Sequence, residues 1–326
     1  MIWFYVLIFI ISCVLLYFAG EFLVKGLTRI AKFLGWKEFV VAFLLIAFAS
    51  SLPNLSLGVS SALHGVPQLS FGDVLGNNMI AMTLAVGLAA FFSRDGITGN
   101  SQTIQTTAVF VLVSAILPLL LVADGILSRI DGVLLISFFG CYLYWLFSKK
   151  ERFSRVYNNE RDTQLHFGIS NFFKDISRVL LGVIFVIIAA EGIVRSSAFF
   201  ASTFNLPLVL IGIFVTGAGN ALPEIYFSIV LAKRGHNWMI LGGLMGAVII
   251  PATLVLGIVS LIHPIEIANF SYGIIARLFL IIASLFFFFS VLTGKKITRK
   301  EALVLLGIYI VFILTEIAMG IYENIK

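Results

Sequence analysis

The chain has 326 residues, 60% of them hydrophobic and 12% charged, with a mean hydropathy of +1.08. So little polar surface cannot clothe a soluble globule of this size, which leaves an all-α polytopic membrane protein. The net charge of +6 collects in short loops and argues against a nucleic-acid partner.

With about 17 to 25 mostly apolar residues required per crossing, the sequence predicts ten spans in chain order. They lie near 3–24, 38–63, 69–92, 104–123 and 129–147, then 175–200, 206–232, 238–262, 270–293 and 302–321. The first opens on Ile2, Trp3, Phe4 and Tyr5 and lacks the basic start and small-residue cleavage site of a secretory signal, so it is expected to stay in the mature protein. Cys13 and Cys141 fall inside spans and read as small apolar residues, with no disulfide or redox role.

Lysine and arginine crowd the loops after odd-numbered spans. Lys25, Arg29, Lys32 and Lys37 follow the first and Arg94 the third. Lys149, Lys150, Arg152, Arg155, Arg161 and Lys174 follow the fifth, Lys233 and Arg234 the seventh, and Lys295, Lys296, Arg299 and Lys300 the ninth. Basic loops stay in the cytoplasm, so the amino terminus is expected outside and the longest loop inside. The absence of long loops or appended domains suits a prokaryotic plasma membrane.

The two halves repeat one another at an offset of 170 residues. Ala49-Ser50-Ser51-Leu52-Pro53-Asn54 answers Gly219-Asn220-Ala221-Leu222-Pro223-Glu224, and the same offset carries Glu21 to Glu191, Gly76 to Gly246 and Gly87 to Gly257. Five spans per copy is an odd number, so the second copy enters the membrane inverted. The expected organisation is a first five-helix repeat at 1–147, a cytoplasmic linker at 148–174 and a second, inverted five-helix repeat at 175–326.

A proline inside a span removes a backbone hydrogen bond and leaves carbonyls that need a cation, water or side chain at membrane depth. Around Pro53 stand Ser50, Ser51 and Asn54; around Pro223 stand Thr216, Asn220 and Glu224. These are the oxygen donors that hard cations take. Glu224, a carboxyl group in mid-span, is the first candidate ligand, set against a neutral acid bonded to its own kinked helix. Glu21 and Glu191 have Lys25 and Arg195 one helical turn on and read as structural ion pairs, with ligand duty at their matched positions as the alternative. Asp73 reads as a helix-entry residue, with the alternative that it adds a second charge one turn before Asn77. No His-Glu-x-x-His helix, Gly-x-Ser-x-Gly elbow or phosphate loop is present, and His64, His166, His236 and His263 are scattered near span ends, so no enzymatic activity and no resident cofactor is expected.

The Leu-Pro-Asn and Leu-Pro-Glu segments, each followed by a glycine-led stretch (Gly76-Asn77-Asn78 and Gly246-Ala247-Val248), resemble the two alpha repeats of the sodium/calcium exchanger family of calcium:cation antiporters. The resemblance implies ten helices in two inverted halves and a site for calcium or sodium, and exchange against sodium or protons by alternating access. It implies cation ligands at Glu224, Asn54, Ser50 and Ser51, joined by Asn77, Asn220, Asn78 and Thr216. The family's second ligand glutamate is Asn54 here, and oxygen-bearing positions are taken by Ala81, Ala247 and Pro251. One carboxylate answers a divalent ion poorly, so two alternatives accompany the antiporter: a sodium/proton-type exchanger that does not carry calcium, and a transport-inactive homologue acting as a membrane scaffold or regulatory partner. The expected partners are inorganic cations and the lipid bilayer, with the oligomeric state open.

Overall fold

The computed structural model describes residues 2–33, 46–93, 95–99, 102–148, 169–204, 206–233, 235, 237–267 and 273–325. The expected start of the second span at 38 lies outside the described residues. So do Lys37, Arg94, Arg234, His166, His236 and nearly all of the charged linker, as do the side chains of Glu21, Lys25 and Lys32.

Ten helical segments account for the described chain. The first five are α1 (Ile2–Phe33), α2 (Ile46–Leu63), α3, α4 (Gln102–Leu121) and α5 (Arg129–Phe147). Helix α3 runs from Gln68–Ile80 through a π-helical turn at Ala81–Ala85 to Val86–Phe92. The second five are α6 (Ile169–Phe204), α7, α8, α9 (Ile274–Thr293) and α10 (Arg299–Ile325). Helix α7 comprises Leu208–Ile211, a π turn at Gly212–Thr216 and Gly217–Lys233. Helix α8 comprises Asn237–Ile250, a π turn at Pro251–Val255 and Leu256–Ile262. Eight of the ten contain a stretch long and apolar enough to cross a bilayer.

Helix α6 reaches back to Ile169, so the last residues of the predicted linker are helical rather than looped. Its 36 residues would measure about 54 Å at 1.5 Å per residue, well beyond the hydrocarbon thickness. The extension is anchored in polar contacts: Asp175 accepts from Arg178 at 2.6 Å and from Arg29 of α1 at 3.5 Å.

The loops gather at two ends. At one, Lys233 stands over the Phe92 ring, Arg299 donates to the Ser93 carbonyl at 3.2 Å, and β1 (Ile97–Thr98) pairs antiparallel with Lys296–Ile297. At the other, β2 (Ile126–Leu127) pairs antiparallel with β3 (Ile265–Glu266), and Gln68 donates to the Glu266 carbonyl at 3.0 Å. The third loop, through Ser93 and Ile97–Thr98, and the described basic residues Lys233, Lys296 and Arg299 of the seventh and ninth loops therefore share one end.

Helices α3 and α8 form the buried centre, while α1 and α6 lie together at the side and expose Trp3, Phe4, Leu7, Ile184, Ile187 and Ile188. Such exposure fits acyl chains and not water. Packing follows the 170-residue offset closely. A Cβ on Gly87 would come within 2.9 Å of Leu306 and close to the Ala302 carbonyl; one on Gly257 would come within 2.6 Å of Ile136 and close to the Gly132 carbonyl. All three pairs of positions are 170 apart. Small residues at these crossings let backbones approach where no water drives the packing.

The π turns of α3 and α8 are also 170 residues apart, residue for residue. Pro251 opens one, yet Ala81 opens the other, so proline is not their common cause. Both share a threonine that bonds back one turn: Thr83 to the Met79 carbonyl at 2.5 Å, Thr253 to the Ile249 carbonyl at 2.6 Å. Hydroxyls bonding back in this way compete with the helical ladder and bend it.

Candidate functional site

The site begins with glycine. Gly72 and Gly76 of α3 lie against the backbone of α7 at Val209, Gly212 and Ile213, so closely that a Cβ at either would collide with a carbonyl. Gly217 repeats the contact from the other side, its Cβ position falling 2.8 Å from the Asp73 carbonyl oxygen and 2.9 Å from the Asn77 nitrogen. Two helices in backbone contact bring short side chains within bonding distance of one another.

That approach joins Asp73 to Asn220, whose Nδ2 donates to Asp73 Oδ1 at 2.8 Å. Thr216, whose hydroxyl donates to the Gly212 carbonyl at 3.0 Å, stands beside the same carboxylate. Asp73 is wholly buried, and its Oδ2 has no hydrogen-bond partner among the described residues. Glu224 follows Asn220 by one helical turn on the same face of α7. It is buried, its Oε2 is likewise without a partner, and it lies within electrostatic reach of Asp73.

Helix α2 contributes from across the turn that connects it to α3. A Cβ on Gly58 would lie 3.0 Å from the Ser70 hydroxyl, which fixes the register of this antiparallel pair. About one turn further in, Asn54 therefore stands at the depth of Asp73. Asn54 is 1% exposed and neither of its amide atoms has a partner. Ser50 and Ser51 both donate to the Ala47 carbonyl, at 3.0 and 2.8 Å, which spends their protons and leaves their oxygens as acceptors. Pro53 and Pro223 carry no N–H, so the carbonyls of Ala49 and Gly219 lose their helical donors.

Asn77 donates from Nδ2 to the Ala247 carbonyl of α8 at 3.3 Å and keeps its Oδ1 unpartnered. Asn78, the next residue around the helix, also has an unpartnered Oδ1. Among the described residues on α2, α3 and α7, Asn54, Asp73, Asn77, Asn78 and Glu224 each carry a buried amide or carboxylate oxygen without a protein donor. Each unmet acceptor costs about 1–3 kcal/mol, and acceptors massed together are a coordination shell for a hard cation. No group of three or more His, Cys, Asp or Glu that could hold a metal occurs among the described residues. Amides and hydroxyls must supply much of any such shell.

The helix-entry reading of Asp73 is corrected. Helix α3 starts at Gln68 and has no acidic residue in its first turn. The short connection after Leu63 places Asp73 well inside the helix, facing α7. A carboxylate within an apolar stretch is itself the signal of a site. Glu191 keeps its structural reading: it accepts from Arg195 at 2.6 Å and Ser60 at 2.8 Å and lies 3.1 Å from His64 Nε2, partly exposed where the end of α2 meets α6.

Fold and site define a helical polytopic membrane protein whose interrupted central helices enclose a buried oxygen cluster. The model of the sodium/calcium exchanger protein family matches residues 4–148 and 175–318, and the chain belongs to that family, the calcium:cation antiporter type. The sodium/calcium exchanger MaX1 of Methanosarcina acetivorans is 26% identical over 341 residues, covering 94% of this chain and 97% of that protein. The putative antiporter CaxA of Alkalimonas amylolytica is 24% identical, covering 92% and 95%. Among solved structures, the sodium-calcium exchanger NCX_Mj soaked with 100 mM Na+ and 10 mM Sr2+ superposes with a TM-score of 0.66 at 26% identity, over 96% of this chain and 99% of that one.

Proposed function

We propose that the chain is a secondary active cation antiporter and not an enzyme, exchanging calcium or another cation against sodium or protons by alternating access. Glu224 is the charged ligand, with Asn54, Ser50, Ser51, Asn77 and Asn220 around it and Asn78 and Thr216 at its edge. The observation that carries the reading is the cluster of buried, unpartnered oxygens drawn from two proline-interrupted helices and α3. Such a cluster is unfavourable alone and favourable around a cation. Residues 1–147 and 175–326 act as two inverted halves. The matched π turns and glycine crossings 170 residues apart support this, since alternating access needs two arrangements of nearly equal energy and a near-symmetric pair of halves supplies them. The amino terminus faces outward and the central loop the cytoplasm of a prokaryotic cell, by the placement of basic loops.

Ala81, Ala247 and Pro251 offer no side-chain oxygen and favour a second reading, a transport-inactive membrane scaffold. Purified protein in liposomes separates the two. An antiporter shows calcium or sodium uptake driven by an opposing cation gradient, and loses it in Glu224→Gln. A scaffold shows no uptake with any cation pair while remaining monodisperse.

A further inference from the structure

We propose that Asp73 supplies the second carboxylate of the transported-cation site, standing in for the carboxylate absent at Asn54, and that the site therefore accepts a divalent cation. The inference rests on the antiporter reading above and names the charge and substrate class of that same site.

The two proline motifs give Glu224 on α7 and Asn54 on α2 at equivalent positions, so symmetry alone leaves the site one charge short for a divalent ion. Asp73 lies at the same depth as Asn54 and is wholly buried. One of its oxygens is held by Asn220 at 2.8 Å and the other has no partner. The Asn220 bond fixes the carboxylate's direction from α7, the helix that also carries Glu224. Thr216 stands beside the same carboxylate from α7, and Oδ2 has no hydrogen-bond partner among the described residues, which leaves it free to face a cation. On this assignment the second negative charge of the site stands on α3 rather than on α2. Its position next to the Gly72–Gly76 contact with α7 displaces the centre of negative charge from the midpoint of the two proline motifs toward the α3–α7 seam. Divalent affinity follows the number of carboxylates that answer the ion.

Binding of calcium to the purified full-length protein, measured by calorimetry and by radioactive calcium uptake into liposomes, tests this with four variants. Asp73→Asn, nearly isosteric, is expected to weaken calcium binding by about tenfold or more, within the range that ligand charge count tunes. Adding Asn54→Glu to Asp73→Asn should return affinity to within about threefold of the parent by putting the charge back on α2. Should Asp73→Asn alone not fold, Asn54→Glu is compared with Asn54→Glu/Asp73→Asn; equal affinities in that pair overturn the proposal. Parent-like calcium binding in Asp73→Asn, alongside its loss in Glu224→Gln, overturns it while leaving the antiporter standing. A parent protein that binds and moves no cation removes both.

Discussion

Asn77 donates to the carbonyl oxygen of Ala247 at 3.3 Å, and the two residues are each other's counterparts, 170 positions apart in the repeated sequence. Residues related by an approximate two-fold touch only where its axis passes, so this contact marks the junction of α3 and α8. Around it the side chains are unequal. Asp73, Asn77 and Asn78 on α3 correspond in sequence to Gly243, Ala247 and Val248 on α8. The polar side chains of the two central helices at these positions therefore lie on α3, and α8 offers backbone.

Replacing Asn77 by alanine removes that inter-helical bond and one unpartnered acceptor together. A neutral hydrogen bond of this kind contributes about 0.5–1.5 kcal/mol. Thermal unfolding in detergent should show a modest loss of stability of that order, and cation uptake should fall. Unchanged uptake in Asn77→Ala removes Asn77 from the ligand set.

Asn220→Ala is expected to be worse. It strips Asp73 of its donor and leaves a buried carboxylate unmet, which costs about 1–3 kcal/mol or more for a charged group. Adding a saturating concentration of the transported cation should recover part of the lost melting temperature, because a ligand that binds only the folded state stabilises it. Equal destabilisation with and without cation would show that the bond is structural only.

The α3–α7 seam gives a paired test. A Cβ at Gly217 meets the backbone of Asp73 and Asn77 at 2.8 and 2.9 Å, whereas one at Gly243 meets nothing within 4 Å. Gly217→Ala should separate the two helices, lower uptake at least tenfold and cost about 1–3 kcal/mol by overpacking. Gly243→Ala should leave both within twofold or slightly stabilise the helix. Similar effects from the two substitutions would contradict the close approach.

Much of this could be read from sequence because it is local or periodic. Span positions follow from apolar run length, the two-ended sorting of loops from lysine and arginine, and the Glu191–Arg195 pair from a four-residue spacing. Asp73 was harder. Its partner Asn220 is 147 residues away, and its depth depends on a connection whose length shifts the helix start. The matched π turns of α3 and α8 had no common breaker to announce them, since alanine opens one and proline the other; only the back-bonding threonines are shared. The close approach of α3 to α7 needed glycines on both helices, and a glycine alone does not say which helix it faces.

The ion cluster where the end of α2 meets α6 contrasts with the buried site and supplies the last prediction. Glu191 is bound by Arg195, Ser60 and His64, but its side chain is 35% exposed and that of Arg195 66% exposed. Water screens such charges, and exposed pairs contribute no more than about 1 kcal/mol. Glu191→Gln should therefore change the unfolding temperature little at ordinary salt and leave cation uptake within about twofold, despite being the same chemical change as Glu224→Gln. The comparison isolates burial from chemistry. Both residues are glutamates on the second half's helices, yet only Glu224 has an acceptor oxygen with no partner inside the bundle. If uptake is lost equally in both variants, the buried cluster is not the seat of transport, and the α2–α6 contact through Ser60 and His64 becomes the part of the molecule whose motion limits exchange.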